Sequence, residues 1–595
     1  MPVPGDRSRT LLHLLLGTSV LAAGAFEAAY GRTQLFGDDI AYLDVANMIH
    51  LGNWRAALNP LWSIGYPLLL TPLKLLFPAT TRGELTAVFT LNLAIYLASW
   101  LSFLWFLRTA QAFLLVVGGW GLNPTNKTSG IEGGFSPGSD RDRTLSPFTL
   151  IAAACAFVTA QVCLGRVSSI GPDQLVACLF FLASAFLLRF TAQPSLRDAT
   201  LLGLTLGIGF VVKAVFLPLS VILIAIALLP RARRALPRPI ALAIPAALLL
   251  FVIPYAAALS WAFGRITLGE AAPLNYAFHV NQLPHWMGWQ GGPDPRFGTP
   301  IHPISLLRDH PAVFAFPEPF HVTYPPQYNM PFWYDGYRHF FSPANALRAI
   351  LTNLRELEKV LHENWPLFLA LALCTAILIY SVPHPSRFWG WVAGPKSWPI
   401  WLPSILGVVL YLQVHLEGRY IAPFVTILAV VPFLAAASAS PRTRTLALAV
   451  LLAGTAVNLA RQLDQTAFRA LHPSVVIGDN QAQWAIAQYL TQSGLKPGDR
   501  VASVTTLNDI RCTWAYAARL HIVAAIGNDA YSQNPAQYED FQLFWTDPDI
   551  QADVLRLFRK QGAVAVIVPR VSFLNPPLNS SWQSIPNTYA WVLRF

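Results

Sequence analysis

The chain has 595 residues, of which 54% are hydrophobic and only 12% charged. Ordinary soluble proteins carry roughly 25% charged residues, so this chain cannot clothe a globule in solvated side chains, and its apolar excess equally excludes disorder. The net charge of +11 resides in basic residues that punctuate apolar runs, as in the cytoplasmic loops of membrane proteins, so the partner it implies is a lipid bilayer and not nucleic acid.

A helix needs about 20 apolar residues to cross a bilayer. That criterion gives about 11 spans, near 10–30, 83–107, 147–164, 170–190, 199–213, 214–230, 240–262, 363–381, 398–416, 420–438 and 444–460. The first is too long, and too weakly followed by small residues, for a cleaved signal peptide. The run 199–230 is split because Lys213 and Pro218 lie near its middle. The segment 62–78 carries Pro67, Pro72 and Lys74 and reads as a juxtamembrane or re-entrant piece. Arg7 and Arg9 set the N-terminus inside. Counting crossings then puts the loop 121–146, with Arg141 and Arg143, and the cluster Arg231, Arg233 and Arg234 inside as well. The loops 31–82 and 263–362 and everything beyond 461 fall outside. The loop 121–146 is rich in Gly, Ser, Pro and Asn and reads as flexible. Cys155, Cys163, Cys178 and Cys374 lie in apolar runs and leave Cys512 without a partner, so no disulfide framework is expected.

Beyond 461 the pattern changes. Helices near 479–493, 508–519 and 548–561 alternate with apolar strands at 501–504, 521–525 and 563–568. This predicts a small α/β domain, 461–595, with a largely parallel sheet, after a membrane domain over 1–460. No Gly-rich phosphate loop follows any of its strands.

Three places carry chemistry. The first external loop opens FGDDIAYLD, with Asp38 and Asp39 just past the first span and a helix over 40–49 whose Ala41, Val45 and Met48 share one side. One aspartate there would cap the helix. Two exceed what a cap needs, leaving a carboxylate able to take a hydroxyl proton or bind a cation. Asp173 starts the span 170–190, where capping is again the plain alternative, and Lys213 interrupts an apolar run, where an ionisable group is costly unless it meets a partner or reaches the surface. Between two later spans, Glu417 and Arg419 of LEGRY could pair as a turn, or Arg419 could grip a phosphate bidentately. All of these fall on the external side by the charge rule. The loop 263–362 adds Trp and Tyr mixed with Asn, Gln, His and Gly, in the manner of a sugar-contacting surface. Its His279, His285, His302 and His321 lack zinc-ligand spacing.

In this order, these residues resemble the GT-C superfamily of polytopic membrane glycosyltransferases, most closely bacterial relatives of protein O-mannosyltransferases and of the aminoarabinose–lipid A transferase. The pair Asp38-Asp39 followed by Tyr42, the segment 62–77, the Gly-rich run 203–219 around Lys213, and Glu417-Gly418-Arg419-Tyr420 in 417–423 are similar to family elements. Asp39 stands where Glu is commoner, and Gly65-Tyr66-Pro67 replaces a basic residue before two prolines. The resemblance implies a mainly α, GT-C-like protein that transfers a sugar from a polyprenyl-phosphate donor to an external acceptor, with inversion. It implies that Asp38 is the general base and that Lys213 and Arg419 neutralise the departing phosphate. Asp39 and Asp173 would orient the acceptor or hold a divalent cation, magnesium or manganese. The competing classes are a flippase or transporter of polyprenyl-linked sugars, disfavoured by the lack of internal repeats, and a polysaccharide polymerase or ligase.

Overall fold

The computed structural model describes residues 4–31, 35–78, 80–118, 145–229, 236–283, 289, 295–301, 305–316, 322–380, 394, 397–435, 439–471, 480–504, 512–526, 535–569 and 581–595. Of the loop expected at 121–146, residues 121–144 lie outside the described residues, as does the cluster Arg231, Arg233 and Arg234. The helices, in chain order, are α1 Pro4–Gly31, α2 Gly37–His50, α3 Gly65–Lys74, α4 Thr81–Gly118, α5 Pro147–Val158, α6 Asp173–Ala192, α7 Leu196–Val212, α8 Phe216–Leu228 and α9 Arg238–Phe263. They continue with α10 Pro343–Glu363, α11 Trp365–Tyr380, α12 Trp398–Leu412, α13 Gly418–Ala435, α14 Pro441–Leu471, α15 Asn480–Gln492, α16 Thr513–Ala518, α17 Pro535–Thr546 and α18 Pro548–Lys560.

A helix lies over each of the eleven expected spans. Among the described residues, six are long and apolar enough to cross a membrane, and a seventh is added if α10 and α11, bent by 86°, count as one. The helices α8, α12 and α13 are apolar but shorter. At 62–78 there is only the ten-residue α3, with Pro72 inside it.

The residues gather into two compact units. The first comprises Met1–Gly31, Val88–Ala257 and Leu347–Phe468. Its core is aromatic: Phe103 meets Phe181 at 5.0 Å and Phe157 meets Trp100 at 5.1 Å between ring centroids. Local chemistry starts its helices where charge or proline permits. Ser146 accepts the Thr149 N–H with Pro147 in the first helical turn, and Ser195 accepts the Asp198 N–H. Gly203 and Gly207 let α7 and α9 touch, since a Cβ on Gly203 would sit 2.3 Å from the Ile244 carbonyl oxygen. The long run 199–230 breaks at Lys213, whose backbone is extended at φ −156° and ψ 133°.

The second unit comprises Arg32–Ala87, Ala258–Ala346 and Arg469–Phe595. Its strands are β1 Leu306–Arg308, β2 Val313–Ala315, β3 Arg500–Val504, β4 His521–Ile526, β5 Ala565–Val568, β6 Gln583–Ser584 and β7 Trp591–Arg594, in the order β1-β2-β4-β3-β5-β7-β6. The central β4-β3-β5 ladder is parallel, and its near-continuous apolar runs are buried as such strands require. The flanking pairs are antiparallel. The division therefore differs from the one drawn at residue 460. The tail does not complete its own sheet: β2, from the loop 263–362, pairs with β4 through Val313↔Ile526, and Arg308 of β1 forms an ion pair with Asp553 of α18.

Candidate active site

In the first unit, three segments far apart in sequence bring Asp173, Lys213, Glu417, Arg419 and Tyr420 together. Asp173 opens α6, Lys213 lies at the break after α7, and the others open α13. The Lys213 ammonium donates to Asp173 Oδ1 and stands 4.0 Å over the Tyr420 ring. Arg419 Nε lies 3.8 Å from Asp173 Oδ2 and donates to Glu417 Oε2 at 2.7 Å, while its Nη2 donates to the Tyr420 hydroxyl at 3.2 Å. Asp173 is buried, and Lys213 and Arg419 are partly so. The Lys213 side chain is therefore held by a carboxylate and an aromatic face.

Glu417 has a second partner, His415, whose Nε2 is 3.0 Å from Oε1. Burial pushes the Glu417 carboxyl up, but the His415 hydrogen bond and the Arg419 charge outweigh it and hold the group well below the usual carboxylate range. Two cations thus face two carboxylates. The sequence reading missed His415 and Tyr411, which stacks on Tyr420 at 5.1 Å and 19°. The spacing of His415, two residues before Glu417, was the available signal.

In the second unit, the two adjacent aspartates part company. Asp39 is the third residue of α2 and reaches back to accept the Phe36 N–H at 2.8 Å, one half of a capping box. It is buried, whereas Asp38 is half-buried and its Oδ1 accepts the Gln327 Nε2–H at 3.0 Å. Tyr42 packs edge-on against Trp62 at 5.3 Å and Tyr66 at 6.2 Å. The helix α2 is buried nearly all round and not along one apolar side, because α3 and the segment 322–328 cover it.

That burial encloses Asp44, which the sequence reading passed over. Its carboxylate accepts the Thr323 N–H at 3.0 Å and the Thr323 hydroxyl at 3.1 Å. Burial pushes it up to about 7 against these hydrogen bonds, with the Glu84 charge adding to the rise. Lys74, expected beside the membrane, donates to Asn47 and pairs with Glu84, which also accepts the Tyr516 hydroxyl of α16.

The aromatic loop also differs from expectation. Trp289, Tyr328, Trp333 and Tyr334 are buried, with Trp289 stacked on Tyr334 at 6.1 Å and Phe278 edge-on to it at 4.8 Å. These rings form the packing core of the loop instead of an open sugar-contacting face. Of His279, His285, His302 and His321, only His279 is among the described residues.

The fit of a divalent cation is poor at Asp173. Its carboxylate already faces the ammonium of Lys213 and the guanidinium of Arg419, which oppose a third cation there. Among the described residues no three His, Cys, Asp or Glu side chains come together as metal ligands.

No family model and no curated protein matches the sequence. Among solved structures, ArnT from Cupriavidus metallidurans in the apo state is similar over 98% of this chain and 98% of its own, with a TM-score of 0.50 and 13% identity. The Archaeoglobus fulgidus oligosaccharyltransferase in its apo form aligns over 93% of this chain and 69% of its own, with a TM-score of 0.47 and 13% identity. The likeness to ArnT is one of fold: the chain shares the overall architecture of that structure.

Proposed function

We propose that the chain is a membrane glycosyltransferase that moves a sugar from a polyprenyl-phosphate carrier to an acceptor hydroxyl, with inversion. It does so in the bacterial cytoplasmic membrane, on the periplasmic or external face. The observation that carries this reading is the convergence of Lys213 and Arg419 on Asp173, from segments about 40 and 250 residues away, in a chain with a GT-C fold. Two cations held together by carboxylates form a basic cluster at which an anionic phosphate can compete with Asp173 and Glu417. A lipid-linked phosphate brings that anion to the membrane boundary with its tail still in lipid.

In the reaction the acceptor oxygen attacks the anomeric carbon, and the bond from that carbon to the phosphate oxygen breaks. The electron pair leaves on the phosphate, where Lys213 and Arg419 stabilise the growing charge. The acceptor proton passes to Asp38, the less buried member of its pair. Asp39 is committed to the start of α2 and serves by fixing the helix that carries Asp38. Direct displacement in one step gives inversion, and no step is assigned to a metal.

The test is turnover of purified protein on a panel of polyprenyl-phosphate sugars, with product followed by mass spectrometry. Asp38→Asn should lose about a hundredfold or more in turnover, the scale of a missing general base, while still binding donor. Asp39→Asn should lower thermal stability more than turnover. Near-normal turnover by Asp38→Asn would remove Asp38 as the base, and sugar movement across the membrane without transfer would favour a flippase.

A further inference from the structure

Gln327 stands in the one-turn helix Pro325–Tyr328, and nothing in the sequence singles it out. Its backbone is pinned: its N–H donates to the Tyr324 carbonyl at 3.2 Å, and its own carbonyl accepts the Trp62 indole N–H at 3.0 Å. The residue is 95% buried, and its Nε2 donates to Asp38 Oδ1 at 3.0 Å. The other end of the carboxamide, Oε1, is buried without a hydrogen-bond partner among the described residues.

A glutamine retained for packing satisfies both ends, because a buried carbonyl with no donor loses its hydration and gains nothing. Leucine or methionine would fill this volume without leaving an orphan. An ionised carboxylate only accepts, so Asp38 fixes which end of the amide faces it. Gly37 adds a second sign of close fitting. A Cβ there would lie 3.2 Å from Gln327 Cδ and 3.3 Å from Nε2, so the first residue of α2 leaves room for this side chain beside Asp38.

We infer that Gln327 is a positioning residue for the transfer reaction: its amide N–H holds the Asp38 carboxylate in the orientation that receives the acceptor proton. The inference rests on the proposed role of Asp38. It assigns Gln327 an effect on the chemical step and none on donor binding, because its contact is with the base.

The experiment uses the full-length protein and whichever panel donor the wild type turns over. Gln327→Leu should lower kcat about tenfold or more, as expected when a hydrogen bond to a charged group is lost, with donor KM within about twofold. Its melting temperature should equal or exceed that of wild type, since the orphaned carbonyl is gone. Asp38→Asn combined with Gln327→Leu should be no slower than Asp38→Asn alone, because both act through one group. Gly37→Ala, which displaces the carboxamide by a few tenths of an ångström, should give a smaller loss confined to kcat and covers the case of a Gln327 variant that does not fold. Loss in Asp38→Asn with unchanged kcat in both Gln327→Leu and Gly37→Ala, or losses that simply multiply in the double variant, would overturn the inference alone. Full activity in Asp38→Asn would overturn the reading beneath it.

Discussion

Glu417 gives the sharpest test of the charged cluster, because the structure sets it against the role assigned to its neighbour. Arg419 cannot offer a full charge to a phosphate while Glu417 accepts its Nε–H at 2.7 Å. With charge centres about 4 Å apart, the pair attracts by about 4 kcal/mol at the effective dielectric of a protein surface and about 1 kcal/mol in water. The side chains are 22% and 38% exposed, which places the pair toward the lower end, about 1–2 kcal/mol. Glu417→Gln removes the charge but keeps an acceptor for Arg419 or His415. Its affinity for undecaprenyl phosphate should therefore rise about five- to thirtyfold. Titration calorimetry in detergent at low ionic strength measures it, and added salt should shrink the gain. Arg419→Ala should weaken the same binding, and Arg419→Lys should recover part of it, since lysine lacks the fork. Lys213→Ala should weaken binding and also lower stability by leaving Asp173 less compensated. Unchanged or weaker binding by Glu417→Gln would refute the reasoning, because Glu417 would then orient Arg419 without competing for it.

Two further predictions concern the fold and its orientation. Asp44, raised to about 7 from 3.8, keeps in the folded chain a proton that the unfolded chain releases. Its contribution to stability is fullest below about pH 4, falls as pH rises to about 7 and is flat above, with an upper bound of about 4 kcal/mol. Asp44→Asn should remove that decline and gain melting temperature over wild type at pH 8 but little at pH 4; parallel pH curves would contradict this. For orientation, cysteines introduced by Asp140→Cys and Asn480→Cys should react from inside and outside the cell respectively, against the low background of five buried native cysteines. The reverse pattern would overturn the topology read from arginine bias.

What could be read from the sequence is what isolated cost makes visible. Lys213 within an apolar run, Asp173 at the head of a span and Arg419 between two spans each stood out because a bilayer penalises them, and the first unit joins them. The pair Asp38-Asp39 showed that one carboxylate exceeded the needs of a cap, but only the Phe36 N–H identifies Asp39 as the one that caps. Asp44 was invisible because the Thr323 groups that enclose it lie 279 residues away, as was Glu84, whose tyrosine partner is 432 residues away. The aromatic loop misled for a related reason. Rings mixed with Asn, His and Gly read as an open binding face when the neighbours that bury them are unknown. The strands that 263–362 adds to the sheet were hidden for the same reason, since β1 and β2 are three residues each and acquire strand character only by pairing.

The balance of two cations with two carboxylates also bears on turnover. A phosphodiester donor carries one negative charge at its phosphate, and the departing lipid phosphate carries more. If Lys213 and Arg419 were unpaired, they would hold donor and product strongly, and tight binding of the ground state or the product adds nothing to the rate. In the proposed reaction, with Asp173 and Glu417 in competition, the cations would meet the donor weakly and respond more as charge grows on the leaving oxygen. Glu417, held below the usual carboxylate range by His415 and Arg419, keeps its charge, and with it that competition, into acidic pH. On this reasoning the tighter binding of Glu417→Gln should come with slower release of lipid phosphate, so that affinity rises while turnover at saturating donor falls. A variant that gained both affinity and turnover would show that the carboxylate merely burdens the site.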